Sequence, residues 1–198
     1  RVNRIFEGTN EINRLLIPGM LIRRALKGDL PLIPAAKALQ DELLGPPAAS
    51  TMGDDAVLGD ERRAIEAFKK TALMLFGLAM QTYGQKLTDE QEVLMHLADI
   101  TMAVYAAESA TLRALSVSGR KDRKASLHAD AARVFVSDAA LRIDASARQA
   151  LAAMSDGDTL RTMLAALRRI LKVTPINTVV ARRRLADETV ARGGYPFA

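Results

Sequence analysis

Apolar residues recur every three or four positions along almost the whole chain, and no segment shows convincing apolar/polar alternation of the kind a half-buried strand needs. That pattern confines the sequence to an all-α fold. The palette agrees with it: aromatic residues make up only 4% and tryptophan is absent, so a core has to be assembled from Leu, Ala, Val, Ile and eight Met. These residues suit helices that pack closely.

The punctuation between the periodic stretches fixes the helices. Ile12, Leu15, Leu16, Leu21, Ile22 and Leu26 form a first stripe that starts at Thr9 or Asn10, both acceptable N-caps, and stops at Gly28. Pro18-Gly19 inside it predicts a kink about one turn above. Pro34 opens a short second helix ending near Leu44. Beyond a loop, Asp60 is expected to cap a helix that buries Ile65, Phe68, Ala72, Leu75, Phe76, Ala79 and Tyr83 and ends at Gly84. Thr88-x-x-Gln91 reads as a capping box for the next helix, with Leu94, Leu97, Ala98, Thr101, Val104, Tyr105 and Leu112 inward and Gly119 closing it. The following helix is expected to turn in Leu127, Ala131, Val134, Phe135, Leu141, Ala145 and Leu151. Asp158 is expected to cap another, striped with Leu160, Met163, Leu164, Leu167, Ile170 and Leu171 and broken at Thr174-Pro175. A last helix covers about Asn177 to Arg192, before Gly193-Gly194. Long helices joined by short turns predict an antiparallel bundle of about four long helices, preceded by two shorter ones.

Gly45 to Gly59 (GPPAASTMGDDAVLG) is the clearest interruption. It places residues 46–59 as a linker between a 1–45 unit and a 60–198 bundle. Helices on its two sides remain able to share a core.

Several functions lack the residues they need. Cysteine is absent, which removes disulfides, a thiol nucleophile and thiolate-bound metal. His96 and His128 stand alone, without partners at metal-ligand spacing, so no metal is expected. The longest uncharged run, Thr71 to Gln85, falls short of the ~20 residues a bilayer span requires. Net charge is +5, which suits anionic partners. The basic clusters at Arg168-Arg169-Lys172 and Arg182-Arg183-Arg184 are interleaved with apolar residues and lack stacking aromatics, which argues against nucleic acid.

The stretch that carries chemistry is Arg4-Ile5-Phe6-Glu7-Gly8-Thr9-Asn10-Glu11-Ile12. Glu7 has an apolar neighbour able to raise its pKa, and Gly8 lets a ligand approach the backbone. Thr9 and Asn10 start a helix, whose free N–H groups favour an anion. By these features alone, a solvated glutamate before a helix cap remains the simpler reading.

Phe6-Glu7-Gly8-Thr9-Asn10-Glu11-Ile12-Asn13-Arg14 resembles the aromatic-Glu-Gly-Thr motif of acyl-CoA dehydrogenases, flavoenzymes that introduce a trans double bond between Cα and Cβ of acyl-CoA thioesters. The resemblance extends over nearly all the chain. It is most like the very-long-chain branch, which carries an additional C-terminal helical domain. Glu90 to Ala98 and Gly193-Gly194-Tyr195-Pro196-Phe197 are the most similar parts of that region. The resemblance implies that residues 1–45 end the dehydrogenase core and that 60–198 are the extra domain. It implies Glu7 as catalytic base, Gly8 at the substrate, and Thr9, Asn10 and Glu11 at FAD. It also implies a medium to long acyl-CoA substrate, an electron-transferring flavoprotein as partner and a homo-oligomer. The parent would be cytoplasmic in a bacterium, or in the mitochondrial matrix of a eukaryote. Gly45 to Gly59 is shorter than the membrane-associating region of that branch, which argues against membrane association. A chain lacking the family's two other domains would be inactive alone and would expose an apolar patch where they dock. The competing expectation is a non-catalytic helical interaction or oligomerisation module, with Glu7 a bystander.

Overall fold

A computed structural model describes residues 2–45, 57–120 and 123–197. Among these residues there are seven α-helices and no strand: α1 (Asn10–Leu26), α2 (Leu32–Leu44), α3 (Gly59–Tyr83), α4 (Gln91–Val117), α5 (Arg123–Met154), α6 (Gly157–Ile170) and α7 (Thr178–Arg192). The all-α expectation is met. The long helices number three, with 25, 27 and 32 residues in α3, α4 and α5, since α6 has only 14. No helix among the described residues is long and apolar enough to cross a membrane.

The three long helices pack on one another, α3 to α4 to α5, with short reversing links between them. Around them α1 lies on α4, α2 on α3, α6 on α5 and α3, and α7 on α5. One hydrophobic cluster runs through α1 to α6, from Ile22 and Leu32 to Phe68, Leu97, Ile143 and Leu167. Helices before and after the Pro/Gly-rich interruption therefore share a core. The proposed linker at 46–59 lies mostly outside the described residues.

Boundaries agree where capping is local. Thr9 caps α1, its Oγ1 accepting the Ile12 N–H at 3.2 Å. Asn177 caps α7 in the same way through Val180, and Gly193 ends that helix with φ +64. Where burial competes with capping, burial decides. Leu58, 4% exposed, turns left-handed (φ 54) to reach Ala114 and Ala132, and α3 begins right after it. Asp60, expected as the cap, lies inside the first turn and pairs with Arg63 at 2.5 Å. Thr88 sits in a 3₁₀ turn, Gly84–Asp89, that buries Leu87; α4 begins at Gln91, so the capping box does not form. Asp158 likewise lies within the first turn of α6, bonded to Arg161, while Asp156 holds the cap position.

Four inward assignments fail. Tyr105, Leu112 and Leu141 are 75%, 59% and 71% exposed, and Ala145 is exposed as well. Beside the expected Leu127, Val134 and Leu151, the α5 core face carries Val136, Ala139, Ala140, Ile143, Ala147 and Ala150. Small side chains there let α5 approach its neighbours closely, so the contact face is set by alanines, which carry little hydropathy signal.

Helix α7 is held differently from the rest. It buries only Ala181 and Glu188. Arg182 binds Asp138 through both carboxylate oxygens, Arg184 binds Asp130 the same way, and Glu188 meets Arg192 and Arg123. The hydrogen bond from Arg192, with the nearby Arg123 charge, holds the Glu188 carboxyl below the usual carboxylate range against a smaller opposing effect of burial. A lowered folded-state pKa adds stability above the unfolded value that is lost as pH falls through the folded one. We expect the α5–α7 contact to weaken below the ordinary carboxylate range, read as amide exchange in 178–192 against pH. Glu188→Gln should flatten that acid limb; an unchanged limb would assign it to other carboxylates.

Candidate functional site

The motif forms a tight turn leading into α1. A 3₁₀ turn at Val2–Arg4 comes first, with the Ile5 and Phe6 N–H groups donating to the Val2 carbonyl at 3.0 and 3.1 Å. The chain then takes two consecutive left-handed residues, Glu7 at φ 53 and Gly8 at φ +97. A glutamate in this region costs of order 1 kcal/mol, and such strain gathers at functional sites. Gly8 needs its lack of a side chain: an added Cβ would lie 3.2 Å from Asn13 Oδ1. The Gly8 carbonyl accepts a hydrogen bond from Asn13 Nδ2 at 3.3 Å, tying the turn to the first turn of α1.

All five expected site residues therefore fall in one continuous turn. Glu7, Gly8 and Glu11 are exposed, and Thr9 and Asn10 are half-buried. Thr9 caps the helix, and its carbonyl accepts the Asn13 N–H at 2.9 Å. Helix geometry leaves the N–H groups of Asn10 and Glu11 without acceptors in α1, facing out at the positive end of the helix dipole. The Glu11 carboxylate shares that first turn. It offsets much of the attraction for a full negative charge there, so the turn suits hydroxyl and carbonyl contacts better than a phosphate. Thr9→Ala should cost ~1 kcal/mol, about 2–4 °C in Tm for a chain of this size, with Thr9→Ser close to wild type. A Thr9→Ala melt within error of wild type would show that the cap does not hold this turn.

The turn is carried by a helix firmly seated on the bundle. Pro18, Ile22 and Ala25 of α1 are buried, and Arg14 Nε donates to Asp99 Oδ1 of α4 at 2.6 Å. The outer face of α1 shows Ile12, Leu16 and Met20, 58%, 48% and 48% exposed, and the preceding turn shows Ile5 and Phe6. Together they make the exposed apolar patch expected of a chain that docks further protein.

Elsewhere the chemistry-bearing residues are structural. Arg169 donates to the carbonyls of Leu43 and Gly45, both at 2.7 Å, closing the end of α2. Arg182 and Arg184 are engaged in the α5–α7 ion pairs. His128 packs on the Phe197 ring. No group of three metal-binding side chains occurs among the described residues. The Arg14–Asp99 pair was missed from sequence; 85 positions apart, it leaves no local signal.

Known proteins resemble this chain strongly. Residues 67–169, just over half of it, match the family described as "Acyl-CoA dehydrogenase, C-terminal domain". A curated "Probable acyl-CoA dehydrogenase" of Bacillus subtilis (strain 168) is 44% identical over 190 residues, covering 94% of this chain and 31% of the relative. A crystal structure of an acyl-CoA dehydrogenase complexed with FAD, from Bacillus anthracis, superposes with a TM-score of 0.87 at 40% identity, covering 97% of this chain and 32% of that one. The chain thus spans about a third of the length of these relatives. With more than half of its residues matching that family's C-terminal domain, the chain belongs to the acyl-CoA dehydrogenase family.

Proposed function

We propose that the longer protein of which this chain is a part carries out FAD-dependent α,β-dehydrogenation of fatty acyl-CoA thioesters, with Glu7 as the catalytic base. The observation that carries the assignment is the turn: an exposed carboxylate held left-handed between Phe6 and Gly8 at the mouth of α1. A base so placed can reach a substrate lying across the glycine. A Glu7 carboxylate oxygen takes the proton from the substrate Cα, and the electron pair left there becomes the new Cα=Cβ bond as hydride departs from Cβ. When bound, FAD supplies the hydride acceptor. The Gly8 backbone, bare of Cβ, gives the thioester close access to an N–H that polarises its carbonyl. Closure of the remaining protein over this exposed turn would exclude water from the carboxylate and hold it against the substrate Cα.

The turn fits its share of a flavin site. The Thr9 and Asn10 side chains and the open N–H groups of α1 can meet flavin and sugar oxygens, while the Glu11 charge disfavours direct phosphate contact. The rest of a cradle must come from other parts of the parent. We therefore take the isolated chain to be inactive, its α1 patch covered in the parent by the remaining two-thirds. The resemblance at Glu90–Ala98 and Gly193–Phe197 favours the very-long-chain branch and a division into 1–45 and an added 60–198 domain. An electron-transferring flavoprotein as oxidant, a homo-oligomer and a cytoplasmic setting complete the proposal. The direct test is anaerobic addition of acyl-CoA esters of graded chain length to the FAD-loaded parent. Bleaching of the flavin with any ester supports the activity; no bleaching with the whole panel overturns it.

A further inference from the structure

The seat of α1 is uneven along its length. Its buried residues, Pro18, Ile22 and Ala25, all lie in the half after residue 17. In the outer half, residues 10–17, none is buried, and only Leu15 packs, half-buried, on the hydrophobic cluster. The join between the halves is weak as well. Pro18 has no N–H, so the hydrogen bond that position 18 would give to the Arg14 carbonyl cannot form.

One ion pair ties the outer half to the bundle. Arg14 Nε donates to Asp99 Oδ1 of α4 at 2.6 Å, and no other side chain of residues 10–17 is hydrogen-bonded or ion-paired to another helix. Beside the pair, a cleft of about 530 Å³ opens between α4 and α5, with Ala103, Phe135 and Ile143 among its walls. Arg14 is the only α1 residue that lines it, so little packing of α1 against α5 backs up the pair.

The Glu7 turn rides on the far end of this outer half. From Pro18 to Thr9 the helix runs about 13 Å, so a tilt of roughly 5° about Pro18 moves the turn by about 1 Å. A misplacement of that size between a base and its substrate carbon can slow the step by up to ~10²-fold.

We infer that Asp99 is a positioning residue for Glu7, acting through Arg14. The inference rests on the reading of Glu7 as the base. It gives the bundle a share in the chemistry without any contact to the substrate, because α4 sets the angle of the helix that presents the carboxylate. A half-exposed ion pair adds little to global stability. Its loss should therefore appear in rate rather than in melting.

In the FAD-loaded parent, Asp99→Ala is expected to hold flavin and melt like wild type. Bleaching at saturating acyl-CoA ester should slow at least about tenfold. The ester concentration giving half the maximal rate should change by less than about threefold, since the contacts that bind the ester are untouched. Asp99→Glu keeps the carboxylate and should recover most of the rate. Arg14→Ala should match Asp99→Ala, and the double variant should be no slower than either, because both act through one contact. In the 198-residue chain, with neither flavin nor ester present, Asp99→Ala should speed amide exchange at residues 14–17 and leave 22–26 unchanged.

Glu7→Gln is measured alongside to separate the two readings. If Glu7→Gln bleaches like wild type, Glu7 is not the base and the positioning role falls with it. If Glu7→Gln does not bleach while Asp99→Ala bleaches at the wild-type rate, the base stands and the positioning role is overturned. A rate that falls only in step with lost flavin or a lowered melt, or that Asp99→Glu fails to recover, also overturns it.

Discussion

Glu7→Gln in the FAD-loaded parent protein is expected to abolish the anaerobic bleaching that an acyl-CoA ester produces, with flavin still bound. Glutamine keeps the size and hydrogen-bonding reach of glutamate and accepts the same left-handed backbone, so the turn at φ 53 is preserved. What it removes is the ability to hold a proton. Losing a positioned general base slows proton abstraction by about 10²–10⁴-fold, equivalent to about 3–5 kcal/mol of barrier. Glu7 is exposed and outside the hydrophobic cluster, so the variant should melt like wild type. Glu7→Asp draws the carboxylate back by one methylene and should retain a fraction of the rate. If wild type and Glu7→Gln bleach at the same rate, Glu7 is not the base, although the parent remains a dehydrogenase. If neither bleaches with any ester, the activity itself is wrong.

How much of this could be read from the sequence depends on how local each determinant is. The cap at Thr9, the start of α7 near Asn177 and the stop at Gly84 were legible because the deciding hydrogen bonds and φ values lie within a few residues. The starts of α3 and α4 were misplaced because buried Leu58 and Leu87 set them, and burial depends on partners far along the chain. On α5 the inward reading held at Leu127, Val134 and Leu151 but failed at Leu141, because alanines share the packing and the more hydrophobic Leu141 faces outward. At the candidate site the residue types stood out, but their geometry did not. Neither the consecutive left-handed residues nor the tether from Arg14 to Asp99 leaves a trace in spacing.

The largest effect on stability is expected from Phe68→Ala. Phe68 is completely buried on α3, the helix that touches α2, α4, α5 and α6 together. Truncating it removes the transfer energy of a phenyl ring and leaves a void that helices gripped on several sides cannot close, a cost of about 3–5 kcal/mol. Domains of this kind are stable by only ~5–15 kcal/mol, so the variant should sit near its threshold. Urea denaturation should show a much lower midpoint at unchanged slope. Tyr105→Ala, on an exposed face of α4, should stay within about 0.5 kcal/mol and serves as the control. A cost below about 1 kcal/mol for Phe68→Ala would mean that the core is not closed around the ring. The same experiment bears on how the motif is held. Ile22 and Ala25 of α1 belong to the cluster that contains Phe68, so α1 and the bundle should unfold in one transition. Two separated transitions, with α1 and α2 leaving first, would instead make residues 1–45 a cooperative unit of their own. The turn bearing Glu7 would then depend on the rest of the parent for its rigidity, as well as for its flavin.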